Sequence, residues 1–163
     1  MKNSLRLFLY NCVFAVLLYV CYHLGVYDLV AAGDMFYLSR FGCLLIVLYG
    51  FYGGYLCFKN SLTIDKLIDE RIHDPNVITK LETDFQTCAQ VANWCTLLGF
   101  LGTGVGLAIS MYIIGLSTDL TNTDMAKFAA AIGGAVHTTI TGIIFRMYVE
   151  HQLHNNETVY NRI

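Results

Sequence analysis

Four stretches of the chain contain no Asp, Glu, Lys or Arg, and they restrict the possible fold more than any other feature. They cover residues 7–27, 41–58, 85–118 and 128–145. A helix needs roughly 17–25 residues to cross a bilayer core of about 30 Å. The second stretch reaches this length when residues 36–38 are added and the Arg40 side chain extends toward the interface. The fourth reaches it from about 126 to 149, with Arg146 at its far end. The sequence therefore predicts an all-α membrane protein with four transmembrane helices.

The overall composition excludes several other classes of protein. Of the 163 residues, 56% are hydrophobic and 13% are charged, and the net charge is −2. A soluble domain carries about 25% charged residues, and a disordered chain is poor in apolar ones. The chain has no basic field for nucleic acid, so no nucleic-acid partner is predicted. The cysteines lack metal-site spacing and are interpreted as packing residues: Cys12, Cys21, Cys43, Cys57, Cys88 and Cys95.

The distribution of Lys and Arg predicts that both termini are cytoplasmic. These residues concentrate before the first span, between the second and third, and after the fourth. The other two connections, near 28–34 and 119–124, hold little positive charge and are predicted to face outward. The first stretch resembles a signal peptide, with a candidate cleavage site at 30–32. Its apolar core is longer than the roughly 7–15 residues of such peptides, so a retained helix is favoured.

The segment between the second and third spans is the only soluble-looking part of the chain. Apolar residues recur there at helical spacing, are interrupted at 74–76, and resume without a break into the third span. This pattern predicts two long helices that extend past the membrane and are joined by one turn at Pro75. A solvated connector is the favoured interpretation, and a small docking surface is the alternative.

Small and polar residues gather on the last two spans. In the third they are spaced by three and four, which places them on one helix face: Thr96, Gly99, Thr103, Gly106 and Ser110. Small faces are how membrane helices pack, so this role is predicted for Gly99, Gly102, Gly106, Gly134 and Gly142. The fourth span also carries His137, Thr138, Thr139 and Thr141 within five residues, which is more polarity than packing needs. Candidate pore-lining residues are Thr96, Ser110, His137, Thr138 and Thr141.

No carboxylate lies at a suitable depth to bind and release a proton. The acidic residues near the spans lie at helix ends; they include Asp28, Asp34, Asp119 and Asp124. His137 is the only ionisable group away from the span ends, and a lone intramembrane histidine is more often a hydrogen-bonded packing residue. Either the chain does not move protons, or a second protein supplies the carboxylate.

Two runs on the last two spans resemble segments of the MotA/TolQ/ExbB proton-channel family. Residues 98–107, LGFLGTGVGL, resemble the family's LGLLGTVxGI segment, and residues 131–143, AIGGAVHTTITGI, resemble its GIAEALLATAIGL segment. The resemblance covers roughly residues 94–150 in the family's order. Four spans with one inward connection also resemble the MotA arrangement more than the three-span TolQ and ExbB arrangement.

The resemblance implies a homopentamer in the bacterial inner membrane, with helices three and four lining its pore. The pentamer would surround two copies of a single-span partner of the MotB, TolR or ExbD type, which brings the missing aspartate. Ion flow would then rotate one component within the other. By motif, Thr103 and Thr139 match the threonines that face that aspartate, whereas Gly134 replaces a glutamate common in TolQ and ExbB relatives. The predicted regions are 1–58 (transmembrane helices one and two with a short outer turn), 59–88 (a cytoplasmic helical extension) and 89–163 (a region that resembles the family's channel, with a short cytoplasmic tail).

Two other classes of function fit the sequence less well. The glycine faces also suit a non-conducting membrane scaffold or a small pore-former, an alternative favoured by the small cytoplasmic part and the missing glutamate. A membrane enzyme using His137 with His151 and His154 is disfavoured, since the latter two lie past the helix end and no carboxylate supports them. The sequence predicts no enzymatic activity, cofactor or metal, and it does not distinguish protons from sodium ions.

Overall fold

The computed structural model describes residues 2–24, 38–70, 74–116 and 122–162. Within these ranges the chain forms four α-helices: α1 (Asn3–His23), α2 (Leu38–Glu70), α3 (Pro75–Leu116) and α4 (Asn122–Tyr160). Each contains a stretch long and apolar enough to cross a membrane. The all-α prediction with four spans is confirmed. The predicted turn near 28–34, the site at 30–32 and part of the turn near 119–124 lie outside the described residues.

Three of the helices are much longer than a bilayer is thick. α2, α3 and α4 have 33, 42 and 39 residues, which correspond to about 50, 63 and 58 Å at 1.5 Å per residue. The bilayer core is about 30 Å, so each extends well beyond it. The predicted interruption at 74–76 is the start of α3. Pro75 occupies the first helical position, where its missing N–H has no cost, and Asp74 Oδ1 accepts a hydrogen bond from Asn76 N at 2.9 Å.

All four helices meet at one end of the bundle, here called the basal end, where α1 and α3 begin and α2 and α4 end. Asn3 contacts Asp65 there, and the rings of Phe85 and Tyr160 lie 5.7 Å apart. α3 and α4 pack most extensively, α2 packs against both, and α1 packs mainly on α2. Only Asn3 and Leu7 of α1 are buried. The core therefore lies among α2, α3 and α4, and most of α1 is left to face lipid or another chain.

Large side chains of α4 fill the space left by glycines of α2. Phe145 packs directly on Gly50 and is 2% exposed. A Cβ atom at Gly54 would lie 2.6 Å from Tyr148 Oη. The small face formed by Gly50 and Gly54 thus accepts aromatic rings rather than a second backbone.

An acidic side chain of α2 caps the beginning of α1. Asp65 accepts hydrogen bonds from the backbone N–H groups of Asn3, at 3.0 Å, and Ser4, at 2.9 Å. The first N–H groups of a helix lack intrahelical partners and carry a partial positive charge, so a carboxylate is favourable there. Burial raises the pKa of Asp65, but hydrogen bonds from Ser4 and Asn3 and the nearby charge of Lys2 outweigh it and leave the pKa below its ordinary value. No pattern in the sequence indicates this contact.

Buried amides continue the link between α1 and the rest of the bundle. Asn3 Nδ2 donates to Asn156 Oδ1 at 2.7 Å, and Asn156 Nδ2 donates to the Cys57 carbonyl at 2.7 Å. One level further in, Asn11 Oδ1 accepts from both Tyr148 Oη and Gln152 Nε2 at 2.8 Å. These bonds fix the height of α1 against α2 and α4, which apolar contacts alone would leave free to slide.

Candidate functional site

The backbones of α3 and α4 come into contact along a line of glycines. A Cβ atom at Gly142 would lie 2.6 Å from the Cys95 carbonyl oxygen and 3.2 Å from Gly99 Cα. At Gly106 it would lie 2.6 Å from Ala135 Cβ. Four of the five glycines predicted to pack helices lie in this contact: Gly99, Gly102, Gly106 and Gly142. The fifth, Gly134, is buried on α4.

Thr103 and Thr139 face each other across this contact and share a hydrogen bond. Thr103 Oγ1 also lies 3.1 Å from the Gly99 carbonyl oxygen and 3.0 Å from that of Ala135, and both threonines are half-buried. Each hydroxyl has one proton and two lone pairs. When Thr103 donates to a carbonyl and Thr139 donates to Thr103, both protons are used within the subunit. The pair then presents acceptor lone pairs on Thr139.

The neighbouring hydroxyls are held inside the subunit. Thr138 is 1% exposed and donates to the carbonyls of Ala135, at 2.8 Å, and Gly99, at 3.3 Å. Its side chain also contacts Gly42 of α2 and Gly102 of α3, at the junction of three helices. Two other candidate pore-lining residues on α3 are also buried. Ser110 is 1% exposed and donates to the Gly106 carbonyl at 2.8 Å. The buried Oγ1 of Thr96 has no partner among the described residues.

His137 and Thr141 lie on another side of α4. Thr139 is two positions after His137, which places the two side chains about 160° apart around the helix axis. Thr141 Oγ1 donates to the His137 carbonyl at 2.8 Å and lies 3.7 Å from Cys43 Sγ of α2. The sequence predicted His151 and His154 past the helix end, but both lie within α4. His151 contacts the ring of Tyr10, with centroids 4.8 Å apart, and is about 21 Å from His137 along α4. No group of three metal-ligating side chains occurs in the parts of the chain that the structure describes.

The threonine pair has no carboxylate at its own level. The sequence contains no Asp or Glu at 85–118 or 125–149. The nearest carboxylate toward the basal end of α4 is Glu150, eleven residues beyond Thr139, or about 16 Å along the helix. The pair can therefore bind an ion or a hydrogen-bond donor, but neither threonine can take up a proton itself.

α4 also carries an ion pair, on the side of the helix that bears Thr139. The sequence predicts Arg146 at the far end of the fourth span but does not by itself assign it a partner. Arg146 Nε donates to Glu150 Oε1 at 2.7 Å. The i,i+4 spacing of two opposite charges on a helix is the signal that indicates such a pair.

These features define a multi-pass helical membrane protein with a neutral, hydroxyl-bearing contact between its two longest helices. The family model described as the MotA/TolQ/ExbB proton channel family matches residues 59–151, more than half of the chain. The chain belongs to this family, as the two runs on α3 and α4 predict, and its role is of the channel type. No curated protein and no solved structure matches the chain.

Proposed function

We propose that the chain is the channel-forming subunit of an ion-driven rotary motor in the bacterial inner membrane. Five copies would surround a dimeric single-span partner, with α3 and α4 facing the pore and the basal end in the cytoplasm. Family membership supports the channel role. The observation that carries the proposal is the Thr103–Thr139 pair, which presents oxygen lone pairs at a level where the chain has no acid.

The chemistry of the pair explains why a partner is needed. A protonated aspartic acid on the partner is a hydrogen-bond donor, and the Thr139 oxygen is an available acceptor. A sodium ion would use the same lone pairs, since hydroxyl oxygens replace water in an ion's shell without adding charge. The threonine pair thus holds the partner's carboxyl group with its bound ion, whereas that carboxylate itself binds and releases the ion.

Replacing both hydroxyls with methyl groups tests the assigned path. Thr103→Val and Thr139→Val, singly and together, keep the side-chain shape and remove the lone pairs. With the chain co-expressed with its single-span partner, we expect proton uptake into inverted vesicles to fall at least tenfold in the double variant, about the effect of one lost hydrogen bond. A pH-sensitive dye reports the uptake.

Matched controls are available on the basal part of α3. Thr83 and Thr87 donate to the carbonyl four residues earlier at 2.9 Å, a bond of the same kind as that from Thr103 to Gly99. Thr83→Val and Thr87→Val should leave the flux unchanged. Undiminished flux in the double variant, with the subunit present in the membrane at normal amounts, would show that the assigned path is wrong.

The assembly is tested separately by electron cryomicroscopy of the complex. We expect five subunits around two partner helices that pass beside Thr103 and Thr139. A ring of another order, or a closed bundle with no room for partner helices, would contradict the proposed assembly whatever the flux measurements show.

The close glycine contacts favour a second candidate, a non-conducting scaffold. Backbone approach at Gly99, Gly106 and Gly142 is what packing alone requires. A scaffold would form a stable ring yet give no ion flux with any co-expressed partner. Measurable flux that depends on Thr103 and Thr139 would exclude it.

A further inference from the structure

Charged residues reach further into the bundle on α4 than on the other three helices. Moving from the basal end, the last charged residues before the uncharged stretches are Arg6 on α1, Lys59 on α2 and Asp84 on α3. On α4 they are Arg146 and Glu150. The height of this pair against the other helices follows from the contacts of its neighbours.

The residues beside the pair contact uncharged parts of every other helix. Phe145 packs against Phe14, with ring centroids 5.5 Å apart, and against Gly50. Phe14 is eight residues from Arg6, about 12 Å, and Gly50 is nine residues from Lys59, about 14 Å.

The contact with α3 gives the same result. A Cβ atom added at Gly53 would contact both Val149 of α4 and Val91 of α3, so these two valines lie at one level. Val91 is seven residues from Asp84, about 10 Å. Arg146, next to Phe145, thus lies about 10–15 Å deeper than these charges of the other helices, and Glu150, between Val149 and His151, lies about 5–9 Å deeper.

Charges at such depth need water or a partner. The side chains of Arg146 and Glu150 are 41% and 45% exposed in the subunit, although they are paired. Charged side chains inside membranes face the bundle interior or a water-filled cavity, since exposure to lipid is costly. The pair is seven and eleven residues from Thr139, so both members point within about 20° of the direction of Thr139 around α4.

We propose that Arg146 and Glu150 line a water-filled basal mouth of the ion path, and that the Glu150 carboxylate relays cations between the threonine pair and the aqueous phase. This rests on the proposed function, in which Thr139 faces the pore. A pentamer would place five such pairs around the mouth with no net charge. Glu150 would bind a passing cation transiently, and Arg146 would keep the empty mouth neutral.

Accessibility to water is the first test. In a chain with Cys12→Ser and Cys21→Ser, we expect Glu150→Cys and Arg146→Cys to react with a sulfonated maleimide at least about tenfold faster than Val13→Cys, because a charged reagent is excluded from lipid. Val13 is the matched control, since it adjoins Phe14 at the same level and is 58% exposed on α1. The measurement uses inverted vesicles that contain the single-span partner, and the parent chain gives the background.

The relay is tested by proton uptake. We expect Glu150→Gln to lower the flux several-fold, whereas Glu70→Gln, at the exposed basal end of α2, should leave it unchanged. Equal labelling of the α4 and α1 positions, or full flux in Glu150→Gln, would overturn the inference. If Thr103→Val with Thr139→Val abolishes flux while Glu150 fails these tests, only the inference falls. If the threonine variant retains full flux, the proposed function itself is wrong.

Discussion

A single methyl group at Gly142 should weaken the contact between α3 and α4 enough to measure. The new Cβ atom would lie 2.6 Å from the Cys95 carbonyl oxygen, whereas ordinary contact begins at 3.4 Å. The obstacle is backbone, which cannot rotate away, so the two helices must separate. Overpacking of this kind costs about 1–3 kcal/mol, and the better helix propensity of alanine offsets up to about 1 kcal/mol. We expect Gly142→Ala to lower the free energy of unfolding by about 1–2 kcal/mol.

Gly104→Ala is the matched control, because a Cβ atom at Gly104 meets nothing within 4 Å. It keeps only the propensity gain, so its stability should equal or slightly exceed that of the native chain. Thermal unfolding in detergent can be followed with a thiol-reactive dye in a chain with Cys12→Ser and Cys21→Ser, since Cys57, Cys88 and Cys95 are fully buried. The Gly142 variant should melt about 3–6 °C lower. Equal or higher stability of Gly142→Ala than of Gly104→Ala would refute the close backbone contact.

Three further predictions concern α1 and the cysteines. Asp65→Asn should destabilise the fold by about 1 kcal/mol, because the amide keeps only one of the two acceptor oxygens and loses the negative charge at the start of α1. Because the pKa of Asp65 is lowered in the folded state, its contribution to stability is complete above about pH 4 and is lost as the pH falls through that lower pKa. The melting temperature of the variant should lack this acid dependence. A variant whose melting temperature depends on pH as that of the native chain does would contradict the cap. Lys2→Gln should not change the melting temperature, since the Lys2–Asp69 pair is exposed, and a clear drop would contradict this. In mass spectra of the folded chain, N-ethylmaleimide should modify Cys12 and Cys21 first; early modification of the buried set would contradict the packing of Cys57, Cys88 and Cys95.

Much of the fold follows from local pattern in the sequence. Uncharged stretches of bilayer length predict the number of spans, and the interruption at 74–76 predicts the turn before α3, because proline geometry acts over a few residues. The spacing of Thr103 on α3 places it on the small face, since helical periodicity depends only on residues of the same helix. The two runs on α3 and α4 likewise indicate the family, which the match to residues 59–151 confirms.

The contacts between helices required the tertiary structure. Thr138 and Thr139 are adjacent in the sequence, yet Thr138 is buried at a three-helix junction and Thr139 bonds to Thr103. Asp65 caps a helix that begins more than sixty residues earlier. Periodicity gives the direction of a side chain around its own helix axis, but it leaves open how far one helix is shifted along another. That shift sets the depth of Arg146, and it is fixed by long-range contacts at glycines and buried amides.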